Sequence, residues 1–369
     1  MSGKREGSPV SARSPADVVA AVVRPEIRAL TAYEVARADG MIKLDAMEVP
    51  YRLPPEIAAK VAAAIAAVPF NRYPDGGAAA VKSALREAFG IPESQGLIVG
   101  NGSDELIQII TAMVAAPGAT ILAPEPSFVM YRMNALYAGA RFVGVPLAAD
   151  FSLDTRAMIE AIERERPALV FLAYPNNPTG NLFGQEDVEA VLRAAPGLVV
   201  VDEAYHAYAG ASFLPRLAEF PNLVVLRTVS KIGMAGLRLG YAVAAPAWTA
   251  ELDKVRQPNN LNALTQAAAP VLLAEQALLA EQAARIAAER SRLAAGLAAQ
   301  DGVVNFPTRT NFVLARVPDA PRWFDHLRRA GILVKNLHGW HPTLEHCLRV
   351  TVGTPAENDA VIAALKSIR

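Results

Sequence analysis

The sequence predicts an α/β fold, with a doubly wound and mostly parallel sheet in a large domain and a smaller α+β domain after it. Short apolar runs alternate with helical patterns from about residue 50. Most of these runs are continuously apolar, which is typical of strands that helices cover on both faces. The alternating pattern changes after about residue 255. We therefore expect an N-terminal tail and arm at 1–45, a large domain at 46–257 and a small domain at 258–369.

The elements of the large domain follow from apolar periodicity and from helix-start signals. Alanine-rich or amphipathic patterns predict helices over 54–68 and 78–89, the first of them opened by prolines. A third helix is expected to be capped by Ser103 or Asp104 and to end near residue 114. Apolar runs predict strands at 97–100, 120–123, 141–145, 168–173, 198–201, 223–227 and 240–244.

The C-terminal segment has a different character. A long stretch rich in alanine and leucine predicts a bent, domain-linking helix over 264–299. Pro270 should break or kink this helix near its start, because proline lacks a backbone N–H. Strands are then predicted at 311–315, 332–336 and 347–352, with helices around 323–330 and 356–366.

Composition excludes several classes of protein. Lysine plus arginine and aspartate plus glutamate balance at 36 each, which argues against general binding to nucleic acids or membrane surfaces. The single cysteine, Cys347, excludes an intrachain disulfide and a multi-cysteine zinc site. Residues 1–15 are polar and lack the apolar core of a signal peptide, so they are expected to form a disordered tail. We expect a cytoplasmic soluble protein.

The most informative residue is a lysine. Lys231 follows the apolar run 223–227, two hydroxyls precede it at Thr228 and Ser230, and Arg238 follows it. An amine surrounded by donors suited to a phosphate predicts a phosphorylated aldehyde that the lysine holds as an imine. The upstream segments Asn-Asn-Pro-Thr-Gly and Val-Asp-Glu-Ala-Tyr, at 176–180 and 201–205, make pyridoxal 5′-phosphate the predicted cofactor.

Each part of that cofactor needs a partner. Asp202, at the end of a predicted strand, suits the ring nitrogen, which must stay protonated for the ring to accept electrons. Its alternative role is to cap a helix. Asn177 and Tyr205 are the predicted donors to the phenolic oxygen, although an Asn-Pro turn also occurs without function. Phe128 is predicted to lie on the ring face, with a place in the core as its alternative.

The cofactor phosphate and the substrate both require fixed donors. The segment 100–104 follows a strand and opens a helix, so its N–H groups should point at an anion. The predicted phosphate ligands are Ser103, Asp104, Thr228, Ser230 and Arg238. Arg349 stands in an otherwise apolar strand, and we predict that it binds an anionic substrate group. A structural salt bridge is the alternative.

Histidines near the C-terminus have a superficial likeness to a metal site. His338, His341 and His346 lack a regular ligand spacing and a cluster of cysteines or acids in the sequence. No metal is therefore expected.

With these segments assembled, the chain resembles the fold-type I pyridoxal-phosphate aminotransferases, and within them the histidinol-phosphate aminotransferase group. The resemblance extends from about residue 24 to residue 369. It rests on the segments 24–27, 30–33, 43–48, 71–75, 102–105, 174–180, 201–205, 230–231 and 347–354. It implies transamination between L-histidinol phosphate and 2-oxoglutarate in histidine biosynthesis.

The resemblance also implies further site residues and a partner. It implies a homodimer with active sites at the subunit interface, where Tyr73 would reach the cofactor phosphate of the neighbouring subunit. Tyr33, on the N-terminal arm, would close over the substrate. Arg349 would bind the phosphate of one substrate and a carboxylate of the other. Lys335 would be the second cation, at a position where the family often has arginine. Lys231, once freed, would be the catalytic base, assisted by Asp202.

Other functions remain open at this point. The same scaffold could carry an aminotransferase for aromatic amino acids or a decarboxylase acting on a phosphorylated amino acid. A non-enzymatic cofactor-binding protein is a further alternative. A nicotinamide oxidoreductase is disfavoured, because the Gly-x-Gly segment lacks the third glycine and the later acidic residue of a dinucleotide site.

Overall fold

The computed structural model describes residues 13–32 and 36–368, which fall into two units, 1–37 and 38–369. The first unit contains helices α1 (Pro15–Val22) and α2 (Pro25–Arg28). Ser14 caps α1 in a capping box, in which its side chain accepts from the backbone N–H of Asp17 and its own N–H donates to the Asp17 carboxylate. The predicted tail lies mostly outside the described residues, and Pro15 already begins α1.

The second unit alternates helices and strands. Its helices are α3 (Pro55–Ala66), α4 (Ala79–Phe89), α5 (Ser103–Val114), α6 (Met130–Ala138), α7 (Thr155–Glu165), α8 (Gln185–Ala194), α9 (His206–Ala209), α10 (Pro246–Val255), α11 (Ala263–Leu273), α12 (Gln276–Ala298), α13 (Ala320–Arg329) and α14 (Pro355–Lys366). Its strands are β1 (Ile42–Leu44), β2 (Gly96–Gly100), β3 (Thr120–Glu125), β4 (Arg141–Pro146), β5 (Leu169–Ala173), β6 (Leu198–Asp202), β7 (Leu223–Thr228), β8 (Gly240–Ala244), β9 (Val304–Asn305), β10 (Phe312–Arg316), β11 (Ile332–Asn336) and β12 (Cys347–Thr351).

Seven strands form a mostly parallel sheet in the order β2-β8-β7-β6-β5-β3-β4. Strands β3 to β7 run parallel, and β8 is antiparallel to both of its neighbours. Alternate residues of one strand pack into different cores: Val199 and Val201 belong to one apolar cluster, and Leu198 and Val200 belong to another. Both faces of the sheet are therefore covered, which explains the continuous apolar runs and confirms the α/β fold class.

A second sheet has the order β1-β11-β12-β10-β9. Strand β1 pairs with β11 in parallel, and the remaining pairs are antiparallel. Side chains from its strands share an apolar cluster with α12, α13 and α14, for example Phe312, Trp323 and Val361. Strands β1 and β9 span only three and two residues, too few for a pattern to predict them.

The predicted helix over 264–299 is two helices, α11 and α12, bent by 80° relative to each other. The predicted bend is therefore confirmed, but the break falls at residues 274–275 and Pro270 lies inside α11, so the helix does not break at Pro270 itself. Buried side chains on both sides of the proline, among them Ala269 and Leu272, pack α11 against α3 and α4. This packing outweighs the one backbone hydrogen bond that proline removes. Among the described residues no single helix meets the length and hydropathy of a membrane span, although this bent pair does when taken together.

Candidate active site

Three adjacent parallel strands bring the predicted residues to one edge of the large sheet. Strands β5, β6 and β7 end at Ala173, Asp202 and Thr228, and register pairs Ala173 with Asp202. The segments that follow these strands therefore open on the same side, at the carboxyl edge where such sheets bind ligands. Asn177 follows β5, and Lys231 follows β7.

A cavity of about 410 Å³ lies at this edge. Ten predicted residues line it: Ser103, Asp104, Phe128, Asn177, Asp202, Tyr205, Thr228, Ser230, Lys231 and Arg238. Lys231 and Asp202 therefore face one shared space, as an imine to the lysine and a contact from the ring nitrogen to the aspartate both require.

Lys231 lies in a short 3-10 turn directly after β7 and is held from two directions. Its Nζ donates to the carbonyl oxygen of Ala46 at 3.1 Å, and the hydroxyl of Tyr208 donates to the Lys231 carbonyl oxygen at 2.7 Å. Burial, together with the positive charge of Arg349, lowers the pKa of the Lys231 amine to about 8. The amine is therefore closer to its nucleophilic, neutral form than an ordinary lysine is.

The lowered pKa has a measurable consequence. Cofactor-free protein mixed with pyridoxal phosphate should attach it faster as the pH rises to about 8 and should level off above it, since only the neutral amine attacks a carbonyl. At pH 7 about one-tenth of such amines are neutral, against about 1 in 3,000 at a pKa of 10.5. Stopped-flow absorption at a series of pH values measures this rate. A rate that rises tenfold per pH unit up to pH 10 would contradict the depressed pKa.

Asp202 lines the cavity and is 4% exposed. Its Oδ2 accepts from the hydroxyl of Tyr131 at 2.7 Å, and its Oδ1 accepts from the backbone N–H of Ala204 at 3.1 Å. The second contact lies within the turn after β6 and is not the helix cap that was the alternative role of this aspartate, since Tyr205 is the N-cap residue of α9. Burial raises the pKa of Asp202 to about 7, against the two hydrogen bonds, which lower it. The protonated ring nitrogen of a bound cofactor would supply a positive charge next to the Asp202 carboxylate.

The N-terminus of α5 and the Arg238 guanidinium form an anion cradle. Gly102, with a φ of 87°, is the N-cap residue of α5, so the prediction that Ser103 or Asp104 caps the helix is wrong. A Cβ at Gly102 would lie 2.8 Å from Arg238 Nη2 and would displace the guanidinium, and the positive φ of this residue favours glycine. Thr228 Oγ1 lies 2.9 Å from Ser230 Oγ on the same side of the cavity. N–H groups at a helix start, hydroxyls and a guanidinium together fit a phosphate.

Arg349 connects the small sheet with this cavity. Its Nη1 donates to Asn177 Oδ1 at 2.6 Å, and its Nη2 donates to the Asp45 carbonyl oxygen at 2.9 Å. Because Asn177 Oδ1 accepts from Arg349, the group of this amide that remains for a ligand in the cavity is the Nδ2 donor. A phenolic oxygen of a cofactor requires such a donor. Lys335 stands directly opposite Arg349 in the β11–β12 ladder, and its Nζ lies 4.6 Å from the ring centroid of Trp340.

Comparison with known proteins identifies the family. The family model described as "Aminotransferase class I and II" matches residues 39–365 of the chain. The chain belongs to the class I and II aminotransferase family. Membership agrees with the resemblance stated from the sequence and with the arrangement of lysine, aspartate and anion cradle at one sheet edge.

Individual relatives of this aminotransferase are similar over nearly their whole length. A histidinol-phosphate aminotransferase of Chromobacterium violaceum is 56% identical over 345 residues, covering 94% of this chain and 97% of the relative. Histidinol-phosphate aminotransferase 2 of Cupriavidus pinatubonensis is 51% identical, covering 93% and 95%. The solved structure of the Sinorhizobium meliloti histidinol-phosphate aminotransferase, in complex with pyridoxal-5′-phosphate, superposes with a TM-score of 0.83 at 28% identity, covering 92% and 95%.

Three predicted site residues of this aminotransferase do not line the cavity, and a fourth lies outside the residues that the structure describes. Tyr73 is 88% exposed and does not line the cavity of its own chain. Lys335 and Arg349 lie on the small sheet, where Arg349 reaches the cavity through Asn177. Tyr33 lies outside the described residues.

Other cavity residues of the aminotransferase were not predicted. Tyr131 lies in the first turn of α6, and its ring is stacked on Phe171 at a centroid distance of 4.4 Å. Phe128 precedes α6, which begins at Met130, so helical spacing from Phe128 gives no signal for Tyr131. Ala46 acts through its carbonyl oxygen, and a main-chain group has no signature in the sequence. Met47, Glu48, Pro175 and Ala204 also line the cavity.

Proposed function

We propose that this chain is an aminotransferase that converts L-histidinol phosphate and 2-oxoglutarate to imidazole-acetol phosphate and glutamate, a step of histidine biosynthesis. The observation that carries the proposal is that Lys231 and Asp202 line one cavity together with the residues of the anion cradle, and that Arg349 donates to Asn177 in the cavity lining. Relatives at 50–56% identity that are named histidinol-phosphate aminotransferases support the choice of substrate. The overall reaction exchanges an amino group and a carbonyl oxygen between the two substrates.

The residues of the chain fit pyridoxal 5′-phosphate as the cofactor. When bound, this group supplies an electron-accepting ring that stabilises negative charge on the carbon carrying the amine. Asp202 would hold the ring nitrogen, Asn177 and Tyr205 the phenolic oxygen, and Phe128 the ring face. The phosphate would lie among Ser103, Asp104, Thr228, Ser230 and Arg238.

Lys231 has two roles in this proposal. It carries the cofactor at rest, and it then moves a proton from the substrate carbon that bears the amine. The second role requires a neutral amine near pH 7 to 8, and a pKa of about 8 places the group in that range. The Ala46 carbonyl oxygen and the Tyr208 hydroxyl fix the side chain and the backbone of this lysine.

Arg349 and Lys335 would bind the anionic end of each substrate. The two residues are opposed in the β11–β12 ladder, and this supports a joint role toward the phosphate of one substrate and the distal carboxylate of the other. Lys335 presents a point charge where a guanidinium would offer a planar fork, so Arg349 supplies the directional hydrogen bonds.

A homodimer completes this proposal. Tyr73 and Phe70 are 88% and 75% exposed, in the segment 70–75. Two exposed aromatic side chains so close in sequence suit a partner surface, and Tyr73 would contact the cofactor phosphate of the other subunit. Tyr33 would cover the substrate. The buried free thiol of Cys347 agrees with a reducing compartment, and we propose the cytoplasm.

Half-reaction spectra of the purified holoenzyme test the substrate assignment. Titration with histidinol phosphate and, separately, with glutamate should bleach the visible absorption of the bound cofactor. Phenylalanine should bleach it only at far higher concentration. Bleaching by phenylalanine alone would identify an aromatic aminotransferase, and carbon dioxide released without a keto product would identify a decarboxylase.

Substitution of Arg349 tests its proposed role in binding the anionic group of each substrate. Arg349→Lys should raise KM for both histidinol phosphate and glutamate by about 10–100-fold, because one hydrogen bond to a charged group contributes about 1.5–3 kcal/mol. Arg316→Lys is the matched control, since Arg316 lies on the neighbouring strand β10 and donates to the Thr343 carbonyl oxygen. Steady-state kinetics with each substrate measure the effect. Equal KM values for both variants and the wild type would remove Arg349 from the substrate site.

A further inference from the structure

The connection between β11 and β12 begins with a cross-strand pair of histidines. The ladder pairs Lys335 with Arg349 and Asn336 with Leu348, and it continues with a hydrogen bond from the Leu337 N–H to the Cys347 carbonyl oxygen. The next opposed positions are His338 and His346. Residues opposed in such a ladder have Cβ atoms about 5 Å apart, so their side chains meet.

The two imidazoles and one carboxylate converge at this point. The ring centroids of His338 and His346 lie 4.9 Å apart, with 34° between the ring planes. Glu345 Oε2 lies 2.7 Å from His338 Nδ1. One ligand atom from each of these three residues lies within 4.8 Å of the other two. We name the three residues His338, Glu345 and His346 the hairpin cluster.

We propose that the hairpin cluster binds a divalent transition-metal ion of the zinc type. Two neutral imidazoles and a carboxylate are a ligand set that Zn²⁺ accepts, with water in the fourth position. Ligands on one tetrahedral ion with bonds of about 2.1 Å lie about 3.4 Å apart. Side-chain rotation adjusts these distances: the 2.7 Å contact between His338 Nδ1 and Glu345 Oε2 must lengthen, and the more distant ligand atoms must approach. His338 Nδ1 also accepts from the His346 backbone N–H at 3.2 Å, so ligation through this atom gives up that hydrogen bond. The side chains of His338 and Glu345 are 33% and 48% exposed, which leaves them room to rotate.

The fold, rather than the spacing in sequence, assembles this site. His338 and His346 are eight positions apart, which matches no regular ligand motif, and the ladder brings them together. His341 lies between them but outside the cluster, because its Nδ1 is 2.8 Å from the Thr343 hydroxyl within its own turn. The expectation that no metal binds relied on spacing and on the lack of an acid cluster, and Glu345 supplies the acid in space.

A bound ion would join the two ends of the connection between strands that carry Lys335 and Arg349. A ligand that binds only the folded state stabilises it by RT ln(1 + [L]/Kd), so the ion should raise the resistance of the chain to unfolding. This inference does not depend on the proposed function, since the residues of the hairpin cluster are not among those that line the cavity.

Metal titration of the holoenzyme tests the proposal. Protein treated with a chelator and desalted is titrated with Zn²⁺ in a calorimeter, and thermal unfolding is followed with and without the ion. The wild type should bind one equivalent per chain and unfold at a higher temperature with Zn²⁺. His346→Gly is the decisive variant, because His346 has a φ of 59°, which glycine adopts without strain.

The variants separate binding at the cluster from binding elsewhere. His346→Gly and His338→Asn should each weaken this binding by at least tenfold and abolish the thermal shift. His341→Asn, on the same connection, should retain both. Absence of a binding event in the wild type, or equal affinity in His346→Gly, would show that Glu345 and His338 contact only each other, and it would overturn the proposal.

Discussion

Lys231→Ala should abolish transamination, with kcat reduced by at least about 10³-fold. The substitution removes both the amine that carries the cofactor and the base that moves the substrate proton, and a positioned base alone contributes about 10²–10⁴-fold. The visible absorption of the bound cofactor should shift, because the covalent link to the protein is lost. Absorption spectra after extensive dialysis, together with steady-state rates, measure both effects.

Stability measurements distinguish lost chemistry from lost folding. The pKa of Lys231 is lower in the folded chain than in an unfolded one, so stability contributed by this group rises between about pH 8 and pH 10.5. At pH 7 the amine is protonated in both states and its burial costs free energy. Cofactor-free Lys231→Ala should therefore unfold at pH 7 at no lower temperature than the wild type.

A remote lysine provides the matched control. Lys60, whose side chain is 59% exposed and paired with Glu275, can be replaced by alanine with wild-type activity expected. Full activity in Lys231→Ala, or an unchanged cofactor spectrum after dialysis, would assign the covalent link to another amine.

Much of the large sheet was predictable because its strands are buried on both faces. A continuous apolar run bounded by polar turns has few alternatives when helices alternate with it, and β5, β6 and β7 all match such runs. The position of the break between α11 and α12 was not predictable. Local propensity points to Pro270, whereas packing of α11 against α3 and α4 decides where the helix ends.

Some parts of the candidate site could be predicted from the sequence and others could not. Side chains with distinctive chemistry at strand ends, such as Asp202 and Lys231, could be assigned from the sequence. The Tyr131 hydroxyl on Asp202 and the Ala46 carbonyl on Lys231 could not, since each depends on contacts between segments distant in sequence. His338 and His346 show the same limit, because strand register rather than spacing brings them together.

Asp202→Asn should reduce kcat by about 10²–10⁴-fold with the protein still folded. Asparagine keeps the size of the side chain but loses the charge, and loss of one partner of a buried ion pair costs about 3–5 kcal/mol. The bound ring would no longer be held protonated, so its electron-accepting power falls. Single-turnover measurements with histidinol phosphate isolate this effect from substrate binding.

Tyr131→Phe supplies a graded control, because it removes one hydrogen bond and leaves the carboxylate. The Tyr131 hydroxyl lowers the pKa of Asp202, so its removal should raise that pKa and move the acidic limb of the kcat profile to higher pH. The loss of activity near pH 8 should be much smaller than in Asp202→Asn. Equal losses in the two variants at every pH would mean that the shape of the pocket, rather than the charge of Asp202, matters.

The stability of the cofactor-free protein gives an independent test of that charge. The pKa of Asp202 is about 7 when folded and near 3.8 when unfolded, so the folded state holds a proton that the unfolded state releases between these values. Stability contributed by this group therefore falls as the pH rises from about 4 to about 7. Asparagine does not titrate. The unfolding temperature of Asp202→Asn should therefore increase relative to that of the wild type as the pH rises across this range. If the two unfolding temperatures differ by a constant amount from pH 4 to pH 8, the folded carboxyl titrates like an exposed one. Burial of the Asp202 charge would then cost no free energy, and a cationic ring would have no such cost to offset.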